Sequence, residues 1–252
     1  MPRAALALAL LLGLSLSPAA ARAVPTECVG PLRDAIYNTP TDRYPHGALG
    51  DPYEWAALTV FVTLTPPCRA GSAASHVVLP NTLVFEDVKP ILADLTGDGV
   101  PEILTVESHR DKGARLAIYR QTGVSAARLT TTPYIGQSHR WLAQLGAADL
   151  DGDGHVEIAY IDRPHLAKVL RVWRFRDGRL EHVADLAGLT NHRFGETAIS
   201  GGIRDCSGQA EIVTANASRT RLILTRLQGA RLIARDAGAY SKAAEQAALA
   251  CR

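Results

Sequence analysis

Apolar and polar positions alternate with period two through most of the chain, in short runs broken by Gly, Asp-Gly or Pro. Arg115-Leu116-Ala117-Ile118-Tyr119 is the clearest run. Side chains that alternate in this way place one face of a strand against a core and the other toward solvent. Around that run the pattern predicts four consecutive strands, over residues 90–95, 102–107, 114–120 and 127–132. Helical periodicity is confined to residues 242–249. Residues 4–16 are different: an apolar stretch interrupted only by Gly13 and Ser15, preceded by Arg3 and followed by Pro18 and Ala21-Arg22-Ala23. That order reads as a secretory signal peptide over residues 1–23, too short to span a bilayer. No later segment has enough uninterrupted apolar residues for a membrane helix.

The strand pattern repeats. Asp94-Leu95-Thr96-Gly97-Asp98-Gly99-Val100-Pro101-Glu102-Ile103 matches Asp149-Leu150-Asp151-Gly152-Asp153-Gly154-His155-Val156-Glu157-Ile158, 55 residues later. A worn copy begins at Asp205, 56 residues further on, and runs to Glu211 and Ile212. Gly123, Gly178 and Gly229 recur between apolar-alternating runs, each followed by an Arg-Leu pair. A poorer copy comes first, at His46-Gly47-Ala48-Leu49-Gly50-Asp51, then Glu54 and the run 57–64. Four-strand units of this length are the size of propeller blades, and radial closure protects strand edges. The expected fold is all-β. It is a small β-propeller of four blades with four strands each, in one domain over 24–252. The blades fall near 44–80, 82–135, 138–189 and 192–239, with a short C-terminal segment, 240–252.

The repeated acidic loops carry oxygen side chains at positions 1, 3 and 5, a glycine at 6 and a carboxylate at 9. Hard oxygen ligands on a tight loop suit Ca²⁺. The candidate ligands are Asp149, Asp151, Asp153 and Glu157 in one loop and Asp94, Thr96, Asp98 and Glu102 in the other. His155 and Val100 would offer backbone carbonyls. An EF-hand does not fit: position 12 is Thr105 or Tyr160, and a strand-like run follows rather than a helix. The Asp205 loop is shorter and has Gln209 where an acid belongs, so it is expected to bind no ion.

These loops resemble the calcium loops of the FG-GAP/VCBS repeat family, known from integrin α-subunit propellers and many exported bacterial proteins. The resemblance covers roughly residues 44–239. It implies a β-propeller with the calcium loop between strands one and two on the lower face of a blade. Asp149, Asp151, Asp153, Glu157, Asp94, Thr96, Asp98 and Glu102 are then ligands of one or two structural ions. The whole chain is similar to small exported VCBS-repeat proteins of alphaproteobacteria. The phenylalanine-glycine part of the repeat is poorly kept, and integrin propellers have seven blades, which argues against an integrin-like adhesive role.

Composition narrows the classes further. With 47% hydrophobic and 21% charged residues in 252, the chain is neither disordered nor a coiled coil. Removing residues 1–23 takes away Arg3 and Arg22 and no acid, leaving 25 basic and 25 acidic side chains. That balance argues against nucleic acid or a membrane surface as partner. The four cysteines, Cys28, Cys68, Cys206 and Cys251, imply disulfides in an exported chain. Cys28–Cys68 with Cys206–Cys251 would tie each chain end to nearby structure, and Cys28–Cys251 is the rival. A periplasmic or secreted monomer is expected.

If the acidic loops occupy one face, the other collects an unusual set of residues. The loops between strands two and three supply His109, Arg110, Arg163 and His165, with Asn216 and Arg219 from the last unit. The loops entering strand one supply His46, His139, Arg140, His192 and Arg193. Arginine with histidine suits carboxylate or phosphate groups. His46, His139 and His192 lie 5, 10 and 13 residues before their aligned aspartates, so they need not converge on a zinc ion. No G-x-S-x-G or phosphate loop is present. Trp55, Trp141 and Trp173 read as blade packing. The reading is a binding or scaffolding module of the cell envelope, with an unknown protein or anionic ligand as partner. The alternative is a lyase or hydrolase acting on an anionic substrate such as an acidic sugar, which needs an acid/base pair that the sequence does not display. A structural envelope protein is a third possibility.

Overall fold

A computed structural model describes residues 23–252. The signal-peptide reading falls almost wholly outside them. After a short 3₁₀ turn, Thr26–Cys28, the chain forms β1 (Val29–Thr41), β2 (Glu54–Leu64) and β3 (Gly71–Val78). Next come β4 (Leu83–Phe85), β5 (Ile91–Ala93), β6 (Glu102–His109), β7 (Gly113–Thr122) and β8 (Ser125–Thr131). The third unit is β9 (Leu142–Ala148), β10 (Val156–Asp162), β11 (Val169–Arg176) and β12 (Arg179–Ala187). The fourth is β13 (Leu189–Thr190), β14 (Gly202–Asp205), β15 (Ala210–Asn216), β16 (Arg221–Gln228) and β17 (Arg231–Ala239), before helix α1 (Lys242–Leu249). The fold is all-β, with one short helix where the sequence predicts it.

Within each unit, successive strands pair antiparallel. The first strand of units two and four is broken in two: β4 and β5 both pair with β6, and β13 and β14 both pair with β15. The break in unit two holds Glu86 and Asp87; that in unit four holds Asn191 and His192. Neighbouring units pack face to face. One apolar cluster joins units one and two through Leu58, Val60, Phe85 and Tyr119. A second joins two and three through Leu104, Trp141 and Tyr160, and a third joins three and four through Ile161, Val172 and Ile212. Helix α1, capped by the Ser241 hydroxyl on the Ala244 amide, covers the remaining face of unit four at Val213, Leu222 and Leu224.

The first unit departs from expectation. It has three strands, not four, and residues 42–53 are not a degenerate acidic loop. Strand β3 hands the chain to the next unit, as β8 and β12 do, so it is the fourth strand of its blade. Counting back makes β1 the second strand and residues 42–53 a two-to-three loop. That loop crosses the entry face, anchored where the His139 amide donates to the Tyr44 hydroxyl (2.8 Å) and the Gly195 amide donates to the Ala48 carbonyl (2.9 Å). Ala48 is fully buried there, in the cluster around Trp141. Gly50 must stay a glycine: its φ is +94°, and a Cβ would lie 2.8 Å from the Gly195 carbonyl oxygen.

Both disulfides join the expected pairs. Cys28–Cys68 ties the start of β1 to the turn before β3. Cys206–Cys251 ties the worn acidic loop to the end of α1.

Candidate functional site

The two acidic loops fold identically. The Asp149 carboxylate accepts the Gly152 amide (2.7 Å) and the Gly154 amide (2.9 Å), and Asp153 accepts the His155 amide (2.8 Å). Asp94 accepts the Gly97 and Gly99 amides and Asp98 accepts the Val100 amide in the same way. These bonds hold Asp94 below the usual carboxylate range, the Gly99 amide chief among them. Gly152 and Gly154 have φ of +80° and +87°, which allows the chain to coil round the first aspartate. Asp149, Asp151 and Asp153 each present an oxygen within 4.8 Å of the others. Asp151 Oδ1 is buried without a hydrogen-bond partner. Such an orphaned oxygen in a carboxylate trio fits a hard cation such as Ca²⁺. The position-9 carboxylates make contacts of their own at the roots of the loops. Glu157 is wholly buried, accepts the Leu150 amide (2.8 Å) and pairs with Arg174, which also reaches Asp151 (2.6 Å) and Asp153 (3.0 Å). Glu102 likewise accepts the Leu95 amide and pairs with Arg120. In the third loop Glu211 pairs with Arg204, Arg226 and Arg235, while the loop itself is held by the disulfide.

The opposite face carries a cavity of about 240 Å³ lined by His46, His139, Arg140, Trp141, Arg163, Pro164, His165, Leu166 and Phe194. The third and fourth units and the 42–53 loop meet there. His46 Nδ1 donates to Glu86, a fully buried carboxylate whose other oxygen accepts the Ser108 hydroxyl. Trp141 Nε1 donates to the Glu86 carbonyl (2.8 Å), which pins the break in strand one beneath the cavity. The His46 ring lies 5.1 Å from that of His139, which stacks on Tyr44 (5.0 Å). Across the cavity, His192 Nε2 donates to the Glu196 carbonyl and His192 Nδ1 accepts from His165 Nε2, both at 2.8 Å. His139 and Arg163 hold left-handed backbone, φ +55° and +47°, as do Lys168 and Arg219 nearby. Non-glycine residues in that region cluster at sites where geometry is imposed for function.

Comparison with known proteins identifies the repeat: residues 91–160 match the FG-GAP-like repeat family. The match takes in both acidic loops and the strands after them. No curated protein matches the chain. Among solved structures, the chain is similar to the crystal structure of exotype rhamnogalacturonan lyase YesX, at 16% identity and a TM-score of 0.41, over 85% of this chain and 49% of that one. The chain therefore spans about half the length of that structure, and a likeness at this distance bears on neither activity nor substrate.

The cavity brings together five of the ten residues expected on the His/Arg face: His46, His139, Arg140, Arg163 and His165. His192, Arg193 and Arg219 line the adjoining hollow with Lys168 and share His165 and Phe194 with it. His109 and Arg110 stay apart: His109 packs on Tyr134, and Arg110 pairs with Asp111 in the open. No three imidazoles of the described residues close to metal-binding distance. Burial lowers the pKa of His139 and His192, and that of His165 to about 4, so all three are neutral at pH 7. Arg163 is engaged by Asp162 and Arg219 by Glu196. Arg140 has no acidic partner among the described residues.

Sequence reasoning missed a second set of carboxylates. Glu54, Glu86 and Asp87, each no more than 3% exposed, are drawn together from β2 and the break in strand one. No Lys or Arg pairs with them among the described residues. Asp87 accepts the Gln144 amide (2.7 Å) and the Val88 amide (2.6 Å), yet burial still pushes its pKa up to about 7. Burial, then the neighbouring Glu86 charge, pushes Glu54 well above the carboxylate range. The available signal was two adjacent acids, Glu86-Asp87, directly after the apolar run Leu83–Phe85.

Proposed function

We propose that the chain is an exported, calcium-stabilised binding module that holds an anionic ligand on its His/Arg face. The carrying observation is Arg140, a guanidinium without an acidic partner among the described residues, at the edge of a cavity that also holds the neutral imidazoles of His139 and His165. A carboxylate or phosphate entering there gains a charge-assisted bond and meets no like charge on the lining. The aspartate trio and the orphaned Asp151 oxygen support Ca²⁺ as the ion of the FG-GAP-like repeat. Two disulfides support export, and no helix among the described residues is long and apolar enough to cross a membrane.

Titration calorimetry with galacturonate, citrate and inorganic phosphate tests the reading. At least one should bind, and Arg140→Ala should weaken it about tenfold to a hundredfold, the worth of one hydrogen bond to a charged group. Absence of heat from all three in calcium buffer refutes it.

A further inference from the structure

Resting on the anion-binding reading, we propose that the cavity is catalytic, with His46 as the general base of an elimination on uronate sugars. The acid/base pair absent from the linear sequence is present in space. Glu86 fixes the Nδ1–H of His46, and Ser108 fixes the far side of Glu86. Glu86 and Ser108 are fully buried. The imidazole is thereby held in one tautomer and one orientation, which leaves the lone pair on Nε2, and His46 lines the cavity. No protein group among the described residues bonds that Nε2.

The lining selects the reaction. Glycoside hydrolysis requires two carboxyl groups flanking the scissile bond, and the cavity is lined by none. Removal of a proton α to a carboxylate requires a base and a cation to neutralise the carboxylate. His46 supplies the first and Arg140 the second. Phe194 and Leu166 flank the cavity, 60% and 62% exposed, as an apolar platform for the CH face of a sugar ring. In the step, His46 Nε2 takes the proton from C5 and the C–H electron pair becomes the C4–C5 double bond. The C4–O bond breaks with its electrons on oxygen, which takes a proton from water, and His46 returns its own proton to water. One chain becomes two, one of them ending in an unsaturated uronate, with no oxidant or reductant.

The probes are polygalacturonate and alginate, followed by ultraviolet absorbance of the new double bond, with binding measured separately by calorimetry on short oligouronates. Wild-type protein is expected to generate absorbance from at least one polymer. His46→Gln should lower turnover at least about a hundredfold, the usual contribution of a general base, while oligouronate affinity and melting temperature change little. Glu86→Gln, a positioning change, should lower kcat more than it raises KM and alter the pH profile of kcat. Oligouronate binding without absorbance from either polymer overturns the catalytic proposal and leaves the binding reading standing; absence of oligouronate binding also overturns the catalytic proposal, and the binding reading falls only if galacturonate, citrate and phosphate fail as well. Full activity in a folded His46→Gln protein also overturns the proposal.

Discussion

Two sets of buried glutamate and aspartate side chains divide the molecule. On the loop face, Glu102, Glu157 and Glu211 each meet at least one arginine from the next strand. Beneath the entry face, Glu54, Glu86 and Asp87 meet an imidazole, a hydroxyl and an amide, and no fixed cation. Both sets lose hydration, but only the first recovers it as ion pairs. A carboxylate removed from water without a countercharge tends toward its neutral form or toward a neighbour that can share a proton. The first set therefore serves the fold, holding the Leu95 and Leu150 amides at the roots of the acidic loops. The second leaves proton-exchanging groups next to a cavity, the condition in which perturbed acids and bases mark function.

Removing the countercharge from the first set should produce the largest effect. Arg174→Met strands the fully buried Glu157 and frees Asp151 and Asp153. Loss of one partner of a buried pair costs about 3–5 kcal/mol, reduced here to about 2–4 because Arg174 is partly exposed. Chemical denaturation without calcium measures it. Arg120→Met should cost less, since Arg120 is 45% exposed.

Calcium sharpens the contrast. With free calcium a hundredfold above its dissociation constant, the folded state gains about 2.7 kcal/mol, about 5–10 °C in melting temperature for a chain of this size. Asp149→Ala should abolish that rise, and EDTA should lower the wild-type melt. An unchanged wild-type melt in EDTA at neutral pH would remove calcium from the account.

The second set should respond to pH. The folded pKa of Asp87, about 7, lies above its unfolded value of about 3.9, so the native state binds the proton more tightly. Its contribution is fully present below about pH 4 and is lost as pH rises through about 7. Asp87→Asn should therefore stabilise the protein at pH 8, by ~1 kcal/mol or about 2–4 °C, and have little effect at pH 4. The unpartnered Gln144 Oε1 can accept from the new amide once the Gln144 side chain turns. Equal effects at both pH values would show that Asp87 is ionised in the folded state.

The coil of the acidic loops was legible because every bond that shapes it spans only a few residues. An aspartate, a second aspartate four positions on and a glycine on either side of the second specify the same coil wherever they occur. The strands flanking them followed from period-two alternation, and the C-terminal helix from its own periodicity. Composition and chain order favoured the two disulfides that formed. Legibility failed where the chain returns on itself. Residues 42–53 resemble a worn acidic loop in sequence, yet three strands rather than four precede the second unit, and this moves the loop to the opposite face. Glu86 and Ser108 lie 22 residues apart, Glu86 and His46 lie 40 apart, and no local pattern links them. Short-range hydrogen bonds and side-chain alternation are written in consecutive residues, so the sequence by itself determined the all-β units and their loops. Which carboxylate receives an arginine and which an imidazole depends on strand count and on how units stack, and only the tertiary structure decided that.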